Sequence, residues 1–192
     1  MRAFAYLMVA AQLFVAATPG LTQDGAPERA PKLELVSARV RPAAPVFLNA
    51  MITNPATAPI YVVRQSVEFP RSSLTFVLAR LGIAANTSFA EIAVEMKDAS
   101  GNKVKEKAAA QKLEITITAK EPIRDGPLVE LEFRLAADTK EQTLIVKQSA
   151  EALDDKGKKV ASLIVTPTAE VVVSESIGSE PRPAIGCFFF TH

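Results

Sequence analysis

The stretches Leu113-Glu114-Ile115-Thr116-Ile117-Thr118 and Val129-Glu130-Leu131-Glu132-Phe133-Arg134 decide the fold. In both, apolar and polar residues alternate with a period of two. Successive side chains of a strand point to opposite faces, so each segment reads as a strand with one face on a core and the other in water. The same period recurs less cleanly at 33–40, 46–53, 60–69, 90–96, 143–148, 160–165 and 168–173, making nine candidate strands. Between them stand turn signals at Asn54-Pro55, Asp98-Ala99-Ser100-Gly101-Asn102, Asp125-Gly126-Pro127 and Asp154-Asp155-Lys156-Gly157. Asp and Asn side chains start such turns and glycine takes the position that needs a positive φ. Strands at this spacing without a long helical period predict an all-β, antiparallel β-sandwich. The stretch 103–112 stays open between a helical turn, favoured by Ala108-Ala109-Ala110, and a charged edge or loop.

Composition narrows the function. The chain has 192 residues, 22 basic against 21 acidic, 48% hydrophobic but only 6% aromatic, with one cysteine, one histidine and no tryptophan. A net charge of +1 with no basic run gives no footprint for a phosphate backbone, so nucleic acid is not an expected partner. One cysteine permits no disulfide within the chain, and the sole imidazole is His192. Nucleophile-base catalysis and most metal sites therefore lack their residues, and no cofactor is expected.

The ends read differently from the body. Arg2, the apolar run Ala3 to Ala17 and the following Thr18-Pro19-Gly20 have the charged, apolar, small-residue order of a secretory signal peptide, with cleavage expected after Ala17. An uncleaved anchor is the rival reading, although the run is short for a membrane span. Residues 18–31, with three prolines and two glycines, read as a linker, 32–173 as the sandwich domain, and 174–192 as a flexible tail. That tail carries Cys187-Phe188-Phe189-Phe190. Three consecutive phenylalanines are unusual in water, and two readings stand: a frayed end folded back on the domain, or an exposed thiol at Cys187 available for linkage to another chain in an oxidising compartment. The protein is accordingly expected outside the cytoplasm, secreted, periplasmic or at the cell surface.

The strand 60–69 runs into Pro70-Arg71-Ser72-Ser73-Leu74, then come Gly82, the strand 113–118, and Gly126-Pro127-Leu128-Val129-Glu130-Leu131-Glu132-Phe133, a Gly-x-Leu-x-x-Leu-x-Phe run. This order of core and turn residues resembles a bacterial cohesin domain. The resemblance implies a nine-stranded jelly-roll sandwich, related to some carbohydrate-binding modules, that holds a calcium-loaded dockerin on one sheet face. One departure stands out: where the family pattern has an acidic residue before the proline, this chain has Phe69. Gly186-Cys187-Phe188 is also similar to the start of a Gly-Cys-Phe-Ile-Ala-Thr segment near the ends of some exported bacterial proteins.

Other chemistries fare worse. Glu130 and Glu132 fall on the solvent side of one strand and read as surface charge rather than a glycosidase pair. Asp154-Asp155-Lys156-Gly157-Lys158 lacks the alternating oxygens and closing glutamate of a calcium loop, so it reads as a hairpin turn. Sugar faces stack on aromatic rings, and beyond residue 17 the only Tyr or Trp is Tyr61, so a flat aromatic platform is not expected. For a protein partner the informative surface is the polar side of two strands: Arg64, Ser66 and Glu68 on one, Glu114, Thr116 and Thr118 on the other. The resemblance places these strands in one sheet, where six polar side chains form a hydrogen-bonding, charge-mixed docking face. The leading expectation is a non-enzymatic module for assembly with a dockerin-like or cell-envelope protein, in the setting of polysaccharide catabolism. The alternative is a module that binds a soluble glycan through polar groups.

Overall fold

Strands with one apolar face must bury it, and two such sheets stacked face to face are the simplest solution. The computed structural model describes residues 30–176 apart from Asn54. The expected signal peptide, all but the last two residues of the expected linker, and Cys187 to Phe190 lie outside the described residues. In chain order the strands are β1 (Lys32–Leu35), β2 (Ala38–Val40), β3 (Pro45–Thr53), β4 (Val62–Glu68), β5 (Leu74–Leu81), β6 (Glu91–Lys97), β7 (Lys112–Thr118), β8 (Gly126–Leu135), β9 (Gln142–Leu153), β10 (Ile164–Val165) and β11 (Thr168–Val173), with a single helical turn α1 (Ile83–Asn86) after β5. They form a five-stranded sheet in the order β10-β1-β3-β8-β5 and a six-stranded sheet in the order β2-β11-β9-β4-β7-β6.

The β-sandwich read from the sequence is the fold, with three local differences. The expected strand 33–40 is two strands in different sheets. The chain changes sheet at Val36 and Ser37: the Val36 N–H donates to the Asn49 carbonyl (2.8 Å), and the Ser37 hydroxyl accepts from the Glu170 N–H (2.9 Å). The stretch 74–81 was not expected to be a strand. Its register against β8 shifts between Phe76 and Leu78, and such a bulge breaks the alternation by which a strand is recognised. Of 160–165 only Ile164 and Val165 pair; Val160 to Leu163 turn, with the Leu163 N–H on the Val160 carbonyl. Two short pairings, β1 with β10 and β2 with β11, are parallel, so the sheets are mixed. The open stretch 103–112 divides between a bridge at Lys103 and a 3-10 turn at Lys107–Ala109.

Phe133 lies at the centre of the core, fully buried, with the rings of Phe69 and Phe76 edge-on at 5.0 and 5.9 Å. The residue that replaces the acid before Pro70 is therefore a core side chain. Gly82 sits where β5 leaves its sheet, and a Cβ there would come 2.2 Å from the Pro127 carbonyl oxygen, so a side chain would force the backbone apart. One polar chain runs through the interior: the Gln65 amide donates to the Gln148 side-chain carbonyl (2.7 Å), and the Gln148 amide donates to the Thr166 carbonyl (2.6 Å). A backbone carbonyl only accepts, which fixes the direction of both amides.

Two of the four sheet edges, β5 and β6, are protected. On β5 the Lys107 ammonium reaches the Val77 carbonyl at the bulge. On β6 the chain returns through Val104, whose N–H meets the Met96 carbonyl at 2.9 Å, and through Lys103, which pairs with Glu95. Charges and bulges of this kind discourage a foreign strand from pairing there.

Candidate docking face

The six residues singled out on the two polar strand faces come together. β4 and β7 are hydrogen-bonded neighbours in the six-stranded sheet, and their register sets Arg64 opposite Thr116, Ser66 opposite Glu114, Glu68 opposite Lys112 and Val62 opposite Thr118. The intervening Val63, Gln65, Val67, Leu113, Ile115 and Ile117 are buried, so the outward side is fixed by the core rather than by the surface. Val63, Val67 and Phe69 are in the core, whereas Tyr61 is half-buried just before β4.

The face is wider than the sequence suggested. On the far side of β4, β9 sets Lys147, Ser149 and Glu151 opposite Glu68, Ser66 and Arg64. On the far side of β7, β6 adds Ala93, Glu95 and Lys97. The missed residues had a faint signal. The alternation 143–148 continues to Leu153, but Ser149-Ala150-Glu151-Ala152 has a composition at least as suited to a helix as to a strand.

Directly across β6 and β7 the register sets Glu95 opposite Glu114 and Lys97 opposite Lys112, so the charges are matched by ion pairs with other neighbours. Arg64 meets Glu151 at 3.2 Å, and Lys159 meets the same carboxylate at 3.3 Å. Lys112 lies between Glu114 at 3.0 Å and Glu68 at 3.8 Å, Lys97 reaches Glu114 at 3.9 Å, and Lys103 holds Glu95 at 2.8 Å. The hydrogen bond from Lys103, then its charge and that of Lys97, hold the Glu95 carboxyl below the ordinary glutamate range. The hydrogen bonds from Lys159 and Arg64 do the same for Glu151. These pairs are exposed, so each adds little to stability; their effect is to set a fixed pattern of charge on a flat surface. Two shallow hollows meet at Glu68. One, of about 440 Å³, is closed by Phe69, Asp98, Ser100, Gln111 and Lys112; the other, of about 180 Å³, lies between Ser66, Lys147 and Ser149. No strand residue on this face is aromatic.

The other candidate chemistries have structural explanations. Glu130 and Glu132 both bind Arg80, at 3.3 and 3.1 Å, on the outside of the five-stranded sheet. Asp154 accepts the N–H groups of Lys156 and Lys158 at 3.0 and 2.7 Å and so closes its own turn. Asp98 does likewise with Ser100 and Asn102, and the bonds from Asn102 lower its pKa most. Among the described residues no cluster of three or more Cys, His, Asp or Glu is arranged to hold a metal ion.

No protein-family model matches the chain, and no curated protein matches it. Solved structures do. The sixth cohesin of scaffoldin B from Acetivibrio cellulolyticus, solved in complex with a Cel5 dockerin mutant, superposes with a TM-score of 0.60 at 14% identity, covering 76% of this chain and 99% of that one. A non-cellulosomal cohesin from the archaeon Archaeoglobus fulgidus gives 0.59 at 12% identity, covering 78% and 95%. A type I cohesin-dockerin complex from Clostridium thermocellum gives 0.59 at 11% identity, covering 76% and 100%. At such identities the likeness is one of fold: the sandwich is cohesin-like.

Proposed function

We propose that this cohesin-like sandwich is an exported, non-catalytic module that docks a protein partner on the outer face of its six-stranded sheet. The observation that carries the reading is the face itself: Arg64, Ser66, Glu68, Glu114, Thr116 and Thr118 set side by side on the outward side of β4 and β7, extended on both flanks and held by a network of ion pairs. A partner with complementary charges meets a surface already ordered, which lowers the conformational cost of binding. Glu68, between the two hollows, is the anchor for a partner cation, and Arg64 and Glu114 fix the register. Two solved relatives of the fold are in complexes with dockerins, which supports a dockerin-like partner. The order of Arg2 and Ala3 to Ala17 supports export, and the setting implied by the resemblance is a polysaccharide-degrading assembly.

Calorimetric titration with calcium-loaded dockerins, cell-envelope proteins and soluble glycans, each repeated with chelator, tests this. Heat from a dockerin that vanishes with chelator and on Glu68→Lys is the expected result. Heat from glycans alone moves the assignment to carbohydrate recognition. Dockerin binding unchanged by Glu68→Lys and Glu114→Lys together overturns the choice of face.

A further inference from the structure

The opposite face carries ion pairs too, Arg80 with Glu130 and Glu132 and Lys32 with Glu34, but between them it leaves an apolar strip. On the outside of the five-stranded sheet, Phe47 is 42% exposed and Val36 41% exposed. Beside Phe47 lies a groove of about 400 Å³ with apolar walls from Ala43, Pro45, Val77 and Ala137, and with Glu132 and Arg134 at its margin. Pro45 and Phe47 are two residues apart on β3 and so share its outward side. An apolar strip in the middle of a sheet face is a surface that something covers.

We propose that it is covered by this chain's own Cys187–Phe190 segment. The described chain leaves the sandwich at the correct end. Glu141 accepts the Ser174 hydroxyl at 3.2 Å and the Glu175 N–H at 2.7 Å, and it belongs to the β8–β9 connection that also supplies Ala137 to the groove. From Ser176 to Cys187 is eleven residue steps, which extended span at most roughly 36–40 Å. The nine residues of β3 are about 30 Å long. The tail therefore reaches the groove and Phe47 with slack. The other exposed large apolar residues, Ile83 and Phe89 at the far end of the sandwich, Ile145 on β9 and Ile164 on β10, do not line this groove. The chemistry fits as well. Three consecutive phenylalanines supply apolar surface that suits an apolar strip, and the Glu132 and Arg134 margin is neutral overall. The inference concerns the face opposite the proposed docking surface and stands independently of that reading.

Cys187 is the chain's sole cysteine, so a nitroxide attached there in the full chain reports where the segment lies. The expected result is at least a twofold loss of amide signal at Phe47, Val77, Arg134 and Ala137, with Thr116 and Ser149 unaffected. Replacing Phe188, Phe189 and Phe190 by Ser in the labelled chain should restore those signals, and Phe47→Ser should restore them in part. No loss, or loss centred on β4 and β7 or on Ile83 and Phe89, overturns the proposal. So does loss that appears when an unlabelled, isotope-enriched Cys187→Ser chain is mixed with a spin-labelled one, because the occupant is then a second copy.

Discussion

On β4 and β7 every outward position but one is polar or charged, and those charges are paired into neighbouring strands; on β3 the outward positions include Pro45, Phe47 and Met51. Both faces back onto the same core, so the difference between them does not come from folding. A sheet needs only one apolar face, and what it carries on the other is free to serve a partner. The charged face suits a partner that arrives from solution and leaves again, since opposite charges steer approach and screen readily with salt. The apolar strip around Pro45 and Phe47 suits an occupant that stays, which points to a segment of the same chain. Variants can test whether the two faces are as separate as this implies.

The strongest perturbation acts on what they share. Phe133→Ala removes a fully buried ring against two others and should cost about 3–5 kcal/mol, read as a lower urea midpoint, with docking and tail protection lost together. If one face kept its function in that variant, the common core would not be what orders both. Gly82→Ala forces a methyl against Pro127 and should cost about 1–3 kcal/mol, measured in the same way. Because Gly82 belongs to the β5 side, tail protection should fall before docking does.

A comparable loss, about 1–3 kcal/mol, is expected for Gln148→Leu, which strands the buried Gln65 amide and takes the donor from the half-buried Thr166 carbonyl. A double-mutant cycle with Gln65→Leu should show coupling, because once Gln148 is gone the Gln65 side chain is already without its acceptor. Charge reversal at Glu68 should leave stability within about 0.5 kcal/mol yet weaken docking tenfold or more, and tail protection should not change. Phe47→Ser should do the converse.

The smallest effect is that of pH. The Glu95 and Glu151 carboxyls are held below their ordinary range in the folded chain, so their contribution is complete above the unfolded value, near about 4.3, and is lost as pH falls through the depressed folded values. Thermal melts should show a stability decline below about pH 4 that is shallower in Lys103→Ala and Lys159→Ala combined. An equal decline in that variant would mean that these pairs are not its source.

How much of this was legible depended on where the outward side chains were polar. β7 and β8 announced themselves because Glu, Thr and Arg mark one face and Leu, Ile and Phe the other. β3 was readable only faintly, since Phe47 and Met51 blur the period by being apolar on the wet side. β5 escaped altogether because its bulge at Val77 puts the alternation out of phase halfway along. The same rule governed the site: the β4 and β7 halves were visible, while Glu151 and Lys159 on their flank were hidden in helix-like or turn-like composition. Gln65 is not legible as a core residue, because a polar side chain at an inward position contradicts the period and only its partner Gln148 explains it.

The two parallel pairings have a mechanical consequence. β1 and β2 enter from one end of the sandwich and run beside β10 and β11, whereas the described chain leaves at the other end. Tension applied between the segment before residue 30 and the segment after residue 176 therefore acts along the strands. It loads the bonds from Ile164 to Pro31, Thr166 to Leu33 and Ser174 to Val40 side by side instead of peeling them one after another. A module tethered through both tails would resist being drawn out even though each of these pairings is only two or three residues long.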